Sequence, residues 1–299
     1  MNLDNGLPLV LGTVQIGLPY GIANVTGQPD QETATAIVRA AWEGGICEFD
    51  TAQAYGTSES VLGEAFRRLD IAGQVRVISK LDPALDVLDA RAVERAVEAS
   101  LERLGVARLD GLMLHRESQF DLWNQGLGRL LTRQMASGKV RRIGVSVYSP
   151  LRAAEALATD GVEMIQAPTS IVDRRFVEAG VYRLAAQQGK SVYVRSVFLK
   201  GLILMEPERI PESMGAARPM VERLTALARE LGLSRQELAL GAVKALGASA
   251  RVVVGAETPE QVRDNVKAWE RPGEAGLWDR AAAVGRVEEW LLDPSRWPK

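Results

Sequence analysis

Residues 89–116, DARAVERAVEASLERLGVARLDGLMLHR, hold a complete helix-to-strand unit. Asp89 stands at the N-cap position, where a short carboxylate can accept from the free N–H groups of a first turn. Val93, Val97, Leu101 and Leu104 then recur on one helical face, and Gly105 provides the stop. The period changes at once. Residues 109–115 are a short, mostly apolar run, as expected of a strand covered on both faces, and it ends in His115, the only histidine of the chain.

Working outward, the same alternation recurs. Strands are expected over 9–14, 46–50, 75–79, 109–115, 142–147, 162–166, 191–196 and 251–255, with amphipathic segments between them. Ser149-Pro150 and Thr258-Pro259 each offer a hydroxyl at N-cap and a proline at N1, and Gln261 completes a capping-box pattern with Thr258. Eight strands alternating with helices, without a low-complexity linker, predict an α/β fold of the (β/α)8 TIM-barrel kind, with residues 1–299 as one domain. A doubly wound sheet is the runner-up. Its dinucleotide sign, G-x-G-x-x-G after the first strand, is absent, since Gly12, Gly17 and Gly21 do not fit the spacing. Two segments exceed a minimal barrel: a long loop over 199–215, and an extra carboxy-terminal helix over 274–291 whose Trp278 and Trp290 are expected to pack on the barrel.

Composition excludes several classes. A net charge of −2, with 25% charged residues, gives neither the basic excess of a nucleic-acid binder nor an acidic tail. No apolar stretch reaches the roughly 18 residues of a membrane span, and MNLDNGLPLVLG lacks the basic start and apolar run of a signal peptide. Cys47 is the only cysteine, so no intramolecular disulfide can form, and a cytoplasmic setting is expected.

Four polar residues stand where successive strands should emerge: Asp50 and Tyr55 in FDTAQAYG, Lys80 in VISKL, and His115. Catalytic groups of a barrel sit at the carboxyl ends of its strands, and neighbouring strands lie about 4.8 Å apart, so these side chains can converge. A buried Lys80 needs a partner, for which Asp50 is the candidate. A phenol near pKa 10 is a poor donor at neutral pH, and a lysine cation beside Tyr55 is expected to lower that value. Neutral His115 could orient a carbonyl oxygen. Taken singly, each has an ordinary alternative: a turn or cap for Asp50, a packed aromatic for Tyr55, a surface residue for Lys80, a core histidine for His115. Four at matching strand exits favour chemistry over coincidence. The array polarises a carbonyl but supplies no hydride, so a nicotinamide is implied.

The chain resembles the aldo-keto reductases over nearly its whole length, through LGTVQIG, FDTAQAYG, SESVLGEAF, VISKL, LERLGVARLDGLMLHR, GKVRRIGVSVYSP, IQAP, RSVFLKGL and VVVGAETPEQVRDNV. The resemblance implies a barrel binding NADH or NADPH across its carboxyl-terminal face. It makes Tyr55 the general acid, supported by Lys80, Asp50 and His115. Ser146 and Gln166 match residues that hold the nicotinamide carboxamide, but Val147 stands where the family often has asparagine. Arg195, followed by Ser196, replaces an aromatic that stacks on the nicotinamide; it could stack through its guanidinium or form a salt bridge across the barrel mouth. After the last strand, Gly255, Glu257 and Gln261 carry no basic residue to clasp a 2′-phosphate, which favours NADH, and Asp264 and Asn265 match adenine contacts. A solvated acidic first turn is the ordinary reading of Glu257.

The expected substrate is a polar, sugar-like carbonyl compound or its alcohol, with Gln15, Ile16, Gln53, Arg116, Phe120 and the 199–215 loop as pocket walls. Neither nucleic acid nor membrane is expected as a partner. A nicotinamide-binding regulatory protein with little turnover is the alternative, motivated by Val147 and Arg195. A metal- or phosphate-dependent barrel enzyme ranks third, because one histidine leaves only carboxylate-based metal sites and no glycine-rich phosphate loop precedes the last helix.

Overall fold

All eight expected apolar runs become strands, and their hydrogen-bonded ladders close on themselves. The computed structural model describes residues 6–298 except Pro272, Glu274, Ala275 and Arg286. Its strands are β1 Leu9–Gly12, β2 Glu48–Asp50, β3 Arg76–Lys80, β4 Gly111–Leu114, β5 Ile143–Ser146, β6 Met164–Pro168, β7 Ser191–Arg195 and β8 Ala250–Gly255. Each pairs in parallel with the next, and β8 returns to β1 through Leu9↔Val252 and Gly12↔Gly255. Helices follow every strand, so the fold is a (β/α)8 barrel. Among the described residues no helix is long and apolar enough to cross a membrane.

Alternation along the strands divides the core. Leu9 and Leu11 pack outward with the helices, whereas Val10, Ile78, Met113, Met164 and Tyr193 fill the barrel itself. Gly111 and Gly144 make room there. A Cβ on Gly111 would stand 2.3 Å from Met164 Cε, and one on Gly144 2.6 Å from Met164 Cγ. Helix ends follow the predicted chemistry. Asp89 accepts from Arg91 and Ala92, Gly105 turns left-handed at φ 65°, and Ser149 accepts from Arg152. Thr258 accepts from the Gln261 N–H, but the Gln261 side chain accepts from Glu257 rather than from Thr258.

Three expectations about secondary structure need correction. The strand over 109–115 shortens to Gly111–Leu114, because the His115 N–H leaves the ladder to donate to Gln119 Oε1. The 199–215 segment is not a plain loop. Short 3₁₀ turns over Leu199–Leu204, Pro207–Arg209 and Glu212–Ala217 are anchored by buried Leu202, Ile203, Ile210 and Met214. The single carboxy-terminal helix expected over 274–291 is two short ones, Leu277–Ala281 and Glu289–Leu292. Gly285, at φ 83°, ends the 3₁₀ turn between them. Residues 274, 275 and 286 of that expected helix lie outside the described residues. Trp278 and Trp290 pack against the core as expected.

At the amino-terminal end of the barrel, the strand entrances carry a polar network that is closed but for Arg142 Nε among the described residues. Tyr193 Oη donates to Glu48 and accepts from Arg142 Nη2 at 2.9 Å. Arg76, Arg142 and Arg251 lie 3.6, 3.7 and 3.9 Å from the Glu48 carboxylate. Asp110 holds Arg141 at 3.0 Å and also binds Arg142.

Candidate active site

The opposite end is built from strand exits. Asp50 ends β2 and Lys80 ends β3, both buried. The Lys80 ammonium donates to both Asp50 oxygens at 2.8 Å and to the Thr51 carbonyl at 2.9 Å, so the expected partnership forms. Burial holds the lysine pKa below its usual value, and Asp50 pulls the other way. The strand exit is itself pinned. Thr13 Oγ1 donates to the Asp50 carbonyl, Ser58 Oγ donates to the Thr13 carbonyl, and Thr51 and Ser58 hydroxyls lie 3.0 Å apart.

Tyr55 hangs on the turn that follows. That turn sits against the one after β1 with no space to spare. A Cβ on Gly17 would stand 2.0 Å from the Tyr55 carbonyl oxygen, and one on Gly56 2.4 Å from the Gly17 carbonyl oxygen. Gly56 also needs its left-handed φ of 57°. So placed, the Tyr55 ring has the Lys80 ammonium 5.0 Å from its centroid and meets His115 edge-on, with centroids 5.7 Å apart.

The electrostatics differ from expectation at one residue. The Tyr55 phenol is pushed above its ordinary pKa of 10, not below it. Burial is the main cause and the Asp50 carboxylate the second; the opposing Arg195 cation is weaker. The neutralising Asp50 leaves Lys80 little net field to act on the phenol. His115 is neutral as read from the sequence. Burial, then Lys80, Arg116 and Arg195, depress its pKa to about 4. Among the described residues its buried Nδ1 has no hydrogen-bond partner, and neither has Gln15 Oε1.

These groups line one cavity of about 780 Å³. Its wall brings together every sequence-predicted site residue: Tyr55, Asp50, Lys80 and His115, then Ser146, Gln166, Arg195 and Ser196, then Gly255, Glu257, Gln261, Asp264 and Asn265. Gln166 is already engaged, its Nε2 donating to Asp50 Oδ1 at 2.8 Å, which leaves its carbonyl end. Asn265 Oδ1 accepts from Gln236 Nε2 at 2.8 Å. Arg195 forms no salt bridge among the described residues; its guanidinium stacks over Tyr148, 4.5 Å from the ring centroid. Burial lifts the Glu257 pKa.

Of the expected pocket walls, Gln15 and part of the 199–215 segment reach the cavity. Ile16, Gln53, Arg116 and Phe120 do not. Gln53 is spent on Ala96, Ser100 and Asp82, Phe120 packs on Trp123, and Ile16 is core. Sequence reading missed Tyr20, Tyr148 and Gln236, which do line it, whereas Lys200 reaches it from the expected 199–215 segment. Tyr148 lay inside a recognised motif, GKVRRIGVSVYSP, so its signal was present. Tyr20 and Gln236 belong to a turn and a helix start that nothing local connects to the strand exits.

A closed barrel with an ion pair, a phenol and a neutral imidazole around one cavity at its carboxyl end defines a class of barrel enzymes. Residues 8–282 match the model of the Aldo/keto reductase family. The chain belongs to that family and is an NAD(P)H-dependent oxidoreductase. It is 27% identical over 294 residues to the uncharacterized oxidoreductase YrpG of Bacillus subtilis, covering 88% of this chain and 87% of that one. It is likewise 27% identical over 292 residues to the NADH-specific methylglyoxal reductase of Escherichia coli, covering 86% and 88%. An aldo/keto reductase from Klebsiella pneumoniae, solved with NADP and acetate, superposes with a TM-score of 0.71 at 22% identity, covering 93% of this chain and 91% of that one.

Proposed function

We propose that the protein reduces a small polar aldehyde or ketone to the alcohol, with Tyr55 as the general acid. The observation that carries this reading is the buried Lys80–Asp50 pair beneath the Tyr55 ring, beside a neutral imidazole. The donor set fits a nicotinamide nucleotide. Ser146 and the free carbonyl of Gln166 stand side by side on paired strands and suit a carboxamide. Gln15 Oε1 is a buried orphan that a bound group would satisfy. The helix Pro259–Glu270 starts beside the cavity, which Gln261 lines, and Glu257, half-buried and without a cation partner among the described residues, suits a ribose hydroxyl better than a phosphate. NADH is therefore the favoured nucleotide, with Arg195, Ser196, Gly255, Gln261, Asp264 and Asn265 completing its bed. When bound, the reduced nicotinamide supplies a hydride to the carbonyl carbon.

The residues of the chain do the rest. His115 donates a hydrogen bond to the carbonyl oxygen and sets its angle, as a neutral imidazole with one N–H can. Tyr55 gives its proton to that oxygen as negative charge develops there. The raised phenol pKa keeps the proton in place until then, and the Arg195 cation favours the phenolate left behind. Asp50 holds Lys80 charged and in position, and Gln166 steadies Asp50.

The test is titration with NADH and NADPH separately, followed by tryptophan fluorescence and calorimetry, then turnover of a carbonyl panel beginning with methylglyoxal. Saturable binding with consumption is expected, NADH being the tighter ligand. Binding without consumption would favour a regulatory protein, the reading that Val147, fully buried and offering the cavity no polar group, supports. Binding of neither nucleotide would end both.

A further inference from the structure

At the catalytic end of the cavity the charges among the described residues are matched, with one exception; elsewhere in its lining Arg209, Glu257 and Asp264 have no ion-pair partner among those residues. Lys80 is neutralised by Asp50, and His115 is uncharged near neutral pH. Glu206 is paired with Arg235 at 2.6 Å. Lys200 is taken up by the Pro294 carbonyl at 3.2 Å and by the rings of Tyr20 and Trp297. Arg195 is different. Among the described residues it meets no carboxylate, and its two hydrogen bonds, to the Val147 carbonyl at 3.3 Å and Ser196 Oγ at 3.4 Å, are both long.

An arginine half-buried in a cavity without an anion is costly to desolvate, and its planar fork stays open for a carboxylate. Tyr148, 42% exposed, fixes the plane of that fork by lying against it. The guanidinium is close enough to the catalytic groups for its field to act on Tyr55, Lys80 and His115 alike. The phosphates of a nucleotide have another cation in the same lining, Arg209, which meets no carboxylate among the described residues. An anion at Arg195 must then come with the substrate.

We propose that Arg195, backed by Tyr148, receives the carboxylate of an anionic carbonyl substrate, an oxo acid or a sugar acid, and so presents its carbonyl to Tyr55 and His115. The inference rests on the carbonyl-reducing reading and narrows its substrate class. A carboxylate there also relieves the repulsion between Arg195 and the positive charge a nicotinamide acquires on oxidation.

The experiment compares succinic semialdehyde with butanal, equal in carbon number and differing in the carboxylate, in the wild type, Arg195→Gln and Arg195→Lys. The wild type is expected to favour succinic semialdehyde in kcat/KM. Arg195→Gln should reduce the ratio of the two kcat/KM values by about ten- to hundredfold, as expected for loss of a charge-assisted bidentate contact. Arg195→Lys should fall between. Taking the ratio removes any loss of folded enzyme or of nucleotide affinity common to both substrates. A wild type without preference, or a ratio unchanged in Arg195→Gln, overturns the proposal. A fall of the same size with both substrates, which leaves the ratio unchanged, would assign Arg195 to the nucleotide. Calorimetric titration with succinate, which cannot be reduced, separates this inference from the reading it rests on. If no nucleotide binds and nothing turns over, the carbonyl-reducing reading fails. Succinate binding that weakens in Arg195→Gln would still support an anion site, and its absence would overturn one.

Discussion

The two ends of this barrel bury similar groups to opposite effect. At the strand entrances, Glu48 and Asp110 are surrounded by guanidiniums, and Tyr193 donates a hydrogen bond to Glu48 while accepting one from Arg142. One buried donor there, Arg142 Nε, lacks a partner. At the strand exits, Asp50 and Lys80 are matched, but His115 Nδ1 and Gln15 Oε1 are orphans, Arg195 lacks an anion, and the Tyr55 phenol stands beside an open cavity. The entrances spend their polar groups on one another, and the exits leave theirs short of partners. Buried groups left unsatisfied raise the energy of the free protein, and a bound molecule that completes them recovers it. A closed network stabilises a fold; an incomplete one is what a ligand can finish.

Substitutions at the two ends should therefore separate activity from stability. Tyr55→Phe should lower turnover by about 10²–10⁴-fold with melting temperature and nicotinamide affinity retained; steady-state rates beside a thermal melt measure both, and comparable turnover would end the general-acid assignment. Asp110→Ala should do the reverse. It removes the carboxylate shared by Arg141 and Arg142, leaving Arg142 only Tyr193, Ser191 and Glu48, and should lower unfolding stability by about 2–3 kcal/mol in denaturant titration, with kcat little altered; a variant as stable as the wild type would mean the entrance network is ornamental. His115 gives a finer probe, because its imidazole signal is the only one of its kind in a proton NMR spectrum. With its pKa depressed from 6.5 to about 4 in the folded state, the unfolded chain binds the proton more readily. The contribution to stability is thus intact above 6.5 and lost as pH falls towards 4. The signal should show no inflection near 6.5; one there would mean the ring is open to water. The smallest effect is expected at the nucleotide wall, where Glu257→Arg should shift preference towards NADPH by about three- to tenfold in Kd ratio. An unchanged ratio would place that carboxylate outside the nucleotide bed.

The alternation of apolar runs with capped helices made the barrel legible, because strand burial and helix capping are local properties. Asp50, Lys80 and His115 were legible for the same reason: a strand end is visible in the sequence, and a barrel gathers its strand ends. The misreadings arose where distant segments decide the outcome. Gln53 looked like a mouth residue, but Ala96 and Ser100 on a neighbouring helix claim it. The phenol pKa went the wrong way because the neighbouring lysine was counted without the burial and the Asp50 carboxylate that outweigh it. Gly285 stood in plain view in the expected carboxy-terminal helix, yet the break depends on its left-handed backbone, which composition alone does not announce. Arg195 was marked as unusual, but only its stacking on Tyr148 and its lack of a carboxylate give it a direction.

Gly17 and Gly56 carry a lesson for anyone rebuilding this enzyme. The turn after β1 and the turn bearing Tyr55 touch backbone to backbone, so neither can be exchanged for a loop from another barrel while the other stays. In engineering terms they are one replaceable part, though they lie on different strands. A graft that respects only the borders of FDTAQAYG would import a tyrosine without the seat that aims it.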